Sequence, residues 1–355
     1  MREARVYLST QALTHNLQRV REHAPHSQVL AMVKADAYGH GLAFALNALQ
    51  NADALGVAFF KEALDIRALG NTQPIVLIEG VFSLAEWIEA DHIHAQCVIH
   101  QDRQLQWALD HIIPNTTVWL KINTGMNRLG FMPEEAISAA SKLRTAGYNL
   151  VLTMHFANAD ESDHPLNQQQ IDTFLNLKKQ LEPIQASLCN SAALIQWKDL
   201  QFDWVRPGIM LYGSSPYANQ SAAELSLKPV MTLTTHLIAT YELPANVSIG
   251  YGSLYKTQRP TQLGVIAMGY GDGYPRVIQN GRLSIAGQLV PIVGRVSMDM
   301  LTVDLTDLAS IPPLDTEVVL WGNGLDVDGV ARSAGTIGYE LFTRLSMRPT
   351  RHIID

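Results

Sequence analysis

Hydrophobic and polar positions along the chain follow one grammar up to about residue 230 and another after it. In the first part, short apolar, β-prone runs alternate with longer amphipathic stretches. The runs are QVLAMV ending at Val33, ALGVAFF at Phe60, PIVLIE at Glu79, HAQCVIH at His100, VWLKIN at Asn123, LVLTMHF at Phe156, QASLCN at Asn190 and FDWVRP at Pro207. They are apolar throughout rather than alternating, the pattern of strands covered on both faces. Between them lie helical patterns. TQALTHNLQRVREH puts Leu13, Leu17 and Val20 on one face, and MPEEAISAASKLRTAG ends on Gly147, suited to a helix C-terminus. Eight strand–helix alternations predict a closed parallel α/β barrel of the TIM type over residues 9–229, with a doubly wound open sheet as the competitor.

From Met231 the pattern changes to dense β-prone runs separated by Gly, Pro and Asn: MTLTTHLIATYEL, QLGVIAMGY, RLSIAGQLVPIVGRV, MLTVDLT and EVVLWG. This predicts a mostly antiparallel C-terminal β domain over residues 230–355, with residues 1–8 (RVYL among them) able to add a strand. Asn280-Gly281 is the strongest two-residue hairpin signal in it.

A chain of 355 residues with 47 % hydrophobic and 17 % charged residues can bury a large core, which excludes disordered and low-complexity classes. The net charge of −7 removes any global attraction to a phosphate backbone, so nucleic acid is not an expected partner. MREARVYLST lacks the apolar core of a secretory signal, and no apolar run nears the roughly 20 residues of a membrane span. The expectation is a cytoplasmic protein without membrane association. Cys97 and Cys189, isolated and far apart, fit neither a disulfide framework nor a CxxC site.

In a parallel α/β barrel, reactive side chains collect at the C-terminal ends of the strands. Those positions hold Lys34, Lys121, His155, Ser191 and Arg206. A lysine directly after a buried strand is expected to be partly desolvated, which frees its amine for Schiff-base chemistry.

The segment after Lys34, VKADAYGHG, resembles the cofactor-lysine signature of the alanine racemase family, fold-type-III pyridoxal 5′-phosphate enzymes. The resemblance continues in register through KINTGMNRLGF (121–131), MHFANAD (154–160), CNSAA (189–193), RPGIMLYG (206–213), GYGSLYKT (250–257), GYGDGYPR (269–276), GRVSMDM (294–300) and IGYELFTR (337–344). It spans nearly the whole chain. It implies that Lys34 binds the cofactor aldehyde and, once displaced by the amino acid, serves as one acid/base at Cα, with Tyr255 as the other. A racemase removes a proton from one face of Cα and returns one to the other, so it needs two such groups. The resemblance makes Tyr38, Ser191, the amides of Gly208 and Ile209, and Tyr339 the phosphate holders, and Arg206 the partner of the pyridine nitrogen, oriented by His155. A guanidinium only donates, so that nitrogen stays an unprotonated acceptor and the cofactor a weaker electron sink, which favours simple proton return. Arg128 is implied to reach the cofactor's phenolic oxygen and the substrate carboxylate, with the Met298 amide as a second carboxylate anchor.

The resemblance also implies that Lys121 is open to carbamylation by CO₂, and that a homodimer forms in which Tyr255 of one subunit completes the site around Lys34 of the other. The implied reaction is interconversion of L- and D-alanine, for peptidoglycan supply or alanine catabolism. The alternative is a broad-specificity amino-acid racemase or a related fold-type-III decarboxylase, with a non-catalytic cofactor carrier as the rival outside catalysis. Asn123 stands where the family's K-x-D-T-G-M-x-R pattern has aspartate, and Met154 where threonine is common; the Asn123 change removes a charge near Lys121 and Arg128. Asp91-His92-Ile93-His94 sets two histidines on one face of a possible strand, too few ligands for a metal site, so no metal is expected. The GYGDGYPR glycines read as turns framing Tyr274 near the substrate entrance.

Overall fold

The computed structural model describes residues 3–355. Its first strand, β1 (Arg5–Ser9), leads into the helix Thr10–His23, whose Ser9 side chain accepts the Ala12 N–H. That N-cap satisfies a donor the helix itself cannot. Leu13, Leu17 and Val20 are buried as their spacing requires.

The eight barrel strands follow: β2 (Gln28–Met32), β3 (Ala54–Val57), β4 (Ile75–Leu77), β5 (Ala95–Ile99), β6 (Thr117–Lys121), β7 (Asn149–Thr153), β8 (Gln185–Ser187) and β9 (Trp204–Val205). They pair in parallel in the order β8-β7-β6-β5-β4-β3-β2-β9. The ends of this sheet, β8 and β9, meet through single bonds rather than a ladder: Arg206 N–H to Cys189 O at 2.8 Å, Ser187 O–H to Trp204 O at 3.0 Å, and Ala186 N–H to the Asp203 carboxylate at 2.8 Å. These strands are short, so two side-chain bonds supplement the backbone bond that closes the sheet.

The second sheet is mostly antiparallel. Its longest strand, β10 (Met231–Leu243), pairs with β1, with Thr261–Ile266 and with Glu317–Trp321. The strand β1 is therefore sandwiched between β10 and the C-terminal strand Thr350–Ile354, the latter its one parallel neighbour. Among the described residues, no helix is long and apolar enough to cross a membrane.

Three local expectations are corrected. Asn280-Gly281 is not the hairpin turn: Arg282–Ile285 and Gln288–Val293 are joined by Ala286-Gly287, at φ +49° and +76°. A type I′ turn needs positive φ at both central residues, and of the Asn280-Gly281 pair only Asn280, at +55°, has it. Asp91 and His92 close the helix Leu84–His92, and the strand begins only at Ala95. Tyr274 does not face an entrance: it is buried at 1 % exposure and stacks on Trp321 with ring centroids 6.0 Å apart, while Tyr270 is the exposed tyrosine of that motif.

Candidate active site

The chain leaves β2 at Val33, and Lys34 opens a tight turn. Ala35, Asp36, Ala37 and Tyr38 all sit near φ +54°, a single turn of left-handed helix. Each such L-residue costs about 1–2 kcal/mol, so the turn persists only because its surroundings fix it. Glu62 accepts the Ala35 and Ala58 N–H groups at 2.7 Å each, and the Asp36 carboxylate accepts the Leu42 N–H at 2.7 Å. Gly39 follows at φ +78°, where a Cβ would lie 2.2 Å from the Phe342 carbonyl oxygen. The turn therefore packs directly on the C-terminal helix Gly338–Arg344, which brings the Tyr38 and Tyr339 rings to 6.0 Å. Tyr38 also stacks on Tyr212 at 4.8 Å, and Tyr212 donates to the Met32 carbonyl at 2.8 Å.

Arg206 lies just past β9. Its Nη1 donates to Thr153 Oγ1 (3.2 Å) and Ser187 Oγ (2.6 Å); its Nη2 donates to Met154 O (2.6 Å), Leu188 O (3.2 Å) and His155 Nδ1 (3.3 Å). All these bonds use the terminal nitrogens, and Nε is left over. Burial pulls its pKa down to about 10, still a cation at neutral pH. Because a guanidinium only donates, His155 Nδ1 is an acceptor and the ring's proton sits on Nε2. Burial, then Arg206, Lys121, Arg128 and Lys34, hold His155 well below its usual value, hence neutral.

Lys121 ends β6 at 8 % exposure. Burial first, then the charges of Arg206 and Arg128, push its pKa down to about 8. The desolvated lysine of this cavity is therefore Lys121, while Lys34 is only partly buried. Arg128 stands exposed on the following loop, where Asn123 Oδ1 accepts the Gly125 and Asn127 N–H groups at 3.1 and 3.0 Å. An uncharged amide thus keeps the hydrogen bonding of the turn that an aspartate would also make.

Lys34, Tyr38, Lys121, Arg128, His155, Ser191, Arg206, Gly208, Ile209 and Tyr339 all line one cavity of about 460 Å³ at the barrel mouth. The Gly208 N–H is already given to Ser191 Oγ at 2.9 Å, so that hydroxyl keeps its proton for another acceptor. A Cβ at Gly208 would lie 2.5 Å from Tyr38 Oη, so only glycine admits that hydroxyl there. Ile209 begins the 3₁₀ turn Ile209–Tyr212, where an amide has no acceptor within the turn. Four cations line the cavity against one carboxylate, Glu340, which is tied to Thr336 and Arg344. An anionic ligand fits that balance. A phosphate would meet the donors around Gly208, a carbonyl an amine at Lys34, and a ring nitrogen a cationic donor at Arg206. The residues present therefore fit pyridoxal phosphate.

Two expected residues are not in this cavity. Tyr255 lies on the two-residue strand Tyr255–Lys256, paired with Ser248–Ile249 and packed with Leu243 against Ile249, Leu263 and Val293. Met298 is half-exposed, its carbonyl accepting the Gly271 N–H at 2.8 Å. Sequence reading missed Glu62 and Gln170. For Gln170 a signal existed: it is a polar residue within the buried stripe of Pro165–Leu181, beside Ile171 and Phe174. Among the described residues, no group of three or more His, Cys, Asp or Glu is arranged to hold a metal.

Comparison with known proteins gives a family-model match to "Alanine racemase, N-terminal domain" over residues 8–216 and to "Alanine racemase, C-terminal domain" over 230–353. An alanine racemase of Psychrobacter sp. (strain PRwf-1) is 50 % identical over 375 residues, covering all of both chains. The alanine racemase structure from Acinetobacter baumannii superposes with a TM-score of 0.97 at 49 % identity, covering all of both chains. That from Bartonella henselae, described with covalently bound pyridoxal phosphate, does so at 0.90 and 27 % identity, covering 99 % of each.

Proposed function

The chain belongs to the alanine racemase family, and from that premise we propose that it interconverts L- and D-alanine by two-base proton transfer, with pyridoxal phosphate at the barrel mouth. The observation that carries this reading is the convergence on one cavity of the Lys34 amine, the Arg206 cation and the donors grouped around Gly208. Bound pyridoxal phosphate supplies the electron sink that makes the Cα proton of an attached amino acid labile.

The residues divide the rest of the work. Tyr38, Ser191, the Ile209 amide and Tyr339 would hold the phosphate, whereas the Gly208 amide expected among them is taken by Ser191 Oγ. Burial raises the pKa of both tyrosines, which supports their acting as hydrogen-bond donors. Arg206 donates to the pyridine nitrogen while His155 and the strand-end carbonyls keep it in place, and no carboxylate stands there to protonate that nitrogen. Arg128 and the Met298 amide bind the substrate carboxylate. Lys34 moves the proton on one face of Cα and Tyr255 on the other. Tyr255 and Met298 lie outside the Lys34 cavity of their own chain, which favours a homodimer in which a second copy supplies them. Lys121, crowded by cations and depressed to about 8, has an appreciable neutral fraction near pH 8 for attack on CO₂: an N–C bond forms, a proton leaves, and a carbamate anion replaces a cation beside Arg128. The chain divides at 229/230, just before β10 begins. The physiological role is supply of D-alanine for peptidoglycan or catabolism of alanine, in the cytoplasm.

Borohydride reduction of the cofactor-loaded protein followed by peptide mapping should place the label on Lys34. Label on another lysine would overturn the site.

A further inference from the structure

Where β6 and β7 end, the chain leaves the sheet and its backbone groups lose their ladder partners. A buried N–H or C=O left unpaired costs about 1–3 kcal/mol, so something must take over from the sheet. For two groups just past β7 that partner is one side chain. Gln170, with 0 % exposure on the helix Pro165–Leu181, accepts the Ala157 N–H at 2.9 Å with Oε1 and donates through Nε2 to the His155 carbonyl at 3.0 Å. The same Nε2 donates to Thr124 Oγ1 at 3.0 Å, and Thr124 contacts Met154 Sδ at 3.1 Å. One residue on, the loop lies so close to this helix that a Cβ on Gly125 would be 3.0 Å from Leu166 and 3.6 Å from Gln170.

Thr124 belongs to the loop that carries Arg128. His155 and the Met154 carbonyl belong to the segment that holds Arg206. We propose that Gln170 is a positioning residue for the reaction: it locks these two loops together and so fixes Arg128 relative to His155 and Arg206 across the cavity. This rests on the reading of that cavity as a pyridoxal-phosphate site. Three hydrogen bonds use both ends of the amide, so no shorter or purely apolar side chain keeps them all. Glutamate matches the shape and still accepts from Ala157, but it sets an oxygen against the His155 carbonyl.

The test compares wild-type protein with Gln170→Ala, Gln170→Glu, Thr124→Val and the double variant Thr124→Val/Gln170→Ala. Each is stripped of cofactor, titrated with pyridoxal phosphate by absorbance and near-ultraviolet circular dichroism, and melted thermally in parallel. Wild type binding no pyridoxal phosphate would sink the underlying reading by itself. Given wild-type binding, Gln170→Ala and Gln170→Glu should weaken it about tenfold or more, alter the dichroism of the bound chromophore and raise KM for alanine. The double variant should lose less than the sum of the two single losses, because the Thr124–Gln170 bond is already broken in each single variant. Folded variants that melt lower yet keep wild-type cofactor affinity, dichroism and KM would overturn the proposal, as would additive losses in the double variant. If Gln170→Ala does not fold, Gln170→Glu and Thr124→Val decide by the same readouts.

Discussion

Lys34 and Lys121 bring the same amine to one cavity but differ in burial. Lys34 keeps partial access at the mouth, whereas Lys121 ends a strand inside and faces Arg206 and Arg128. Its folded pKa of about 8 lies below the unfolded value near 10.4. Charge on Lys121 therefore costs stability below about pH 8, and the cost fades as pH rises from there toward about 10. The same shift would govern the proposed carbamylation, which consumes the neutral amine. Protein equilibrated with ¹³C-bicarbonate should show a carbamate resonance that strengthens as pH rises through 8 and is missing from Lys121→Met. No resonance at any pH, or one that survives Lys121→Met, would remove carbamylation from the account.

At the scale of elements, the left-handed turn after β2 and the helix Gly338–Arg344 depend on each other. Gly39→Ala meets two penalties: a positive φ that costs an L-residue about 1 kcal/mol or more, and a Cβ driven into the Phe342 carbonyl. It should lower stability by about 3 kcal/mol or more and weaken pyridoxal phosphate binding by separating Tyr38 from Tyr339, as thermal melting and cofactor titration would measure. A variant that melts and binds like wild type would show that the two elements are not coupled in this way. Regular elements were legible in the sequence because periodicity and turn residues agreed there: Thr10–His23 and Met231–Leu243 match their patterns at both ends. The turn at Ala35–Tyr38 was not, since in Ala-Asp-Ala-Tyr only the aspartate favours positive φ locally, and the turn is held by contacts from distant residues such as Glu62. Asn280-Gly281 misled because turn propensity was outweighed at Gly281 by packing against Ile278 and Ile292, which a Cβ would meet at 2.6 and 3.1 Å. The strand-end residues that line the cavity were legible from barrel topology and motif together. Gln170 was hidden because a buried polar side chain in a helix declares its partners only once distant loops are brought to it.

At the scale of the whole molecule, the cavity around Lys34 draws on the barrel and on Tyr339 of the same chain, while Tyr255 and Met298 are not among its lining residues. Exposed Tyr251, Leu254, Met300 and Ile337 leave the C-terminal region with apolar surface in the segments near those residues. A two-fold dimer would bring each Tyr255 to the other copy's barrel mouth and give two equivalent sites. The arrangement this implies joins Lys34 of one copy to Tyr255 of the other in each catalytic centre. Its most direct test mixes Lys34→Ala and Tyr255→Phe chains, each inactive alone, under conditions that exchange subunits. In a mixed dimer sharing residues in trans, one site carries both defects and the other none. With random 1:1 reassortment half the dimers are mixed, so roughly a quarter of wild-type racemase activity should return. A mixture that stays inactive although mixed dimer is demonstrably present would contradict the shared centre.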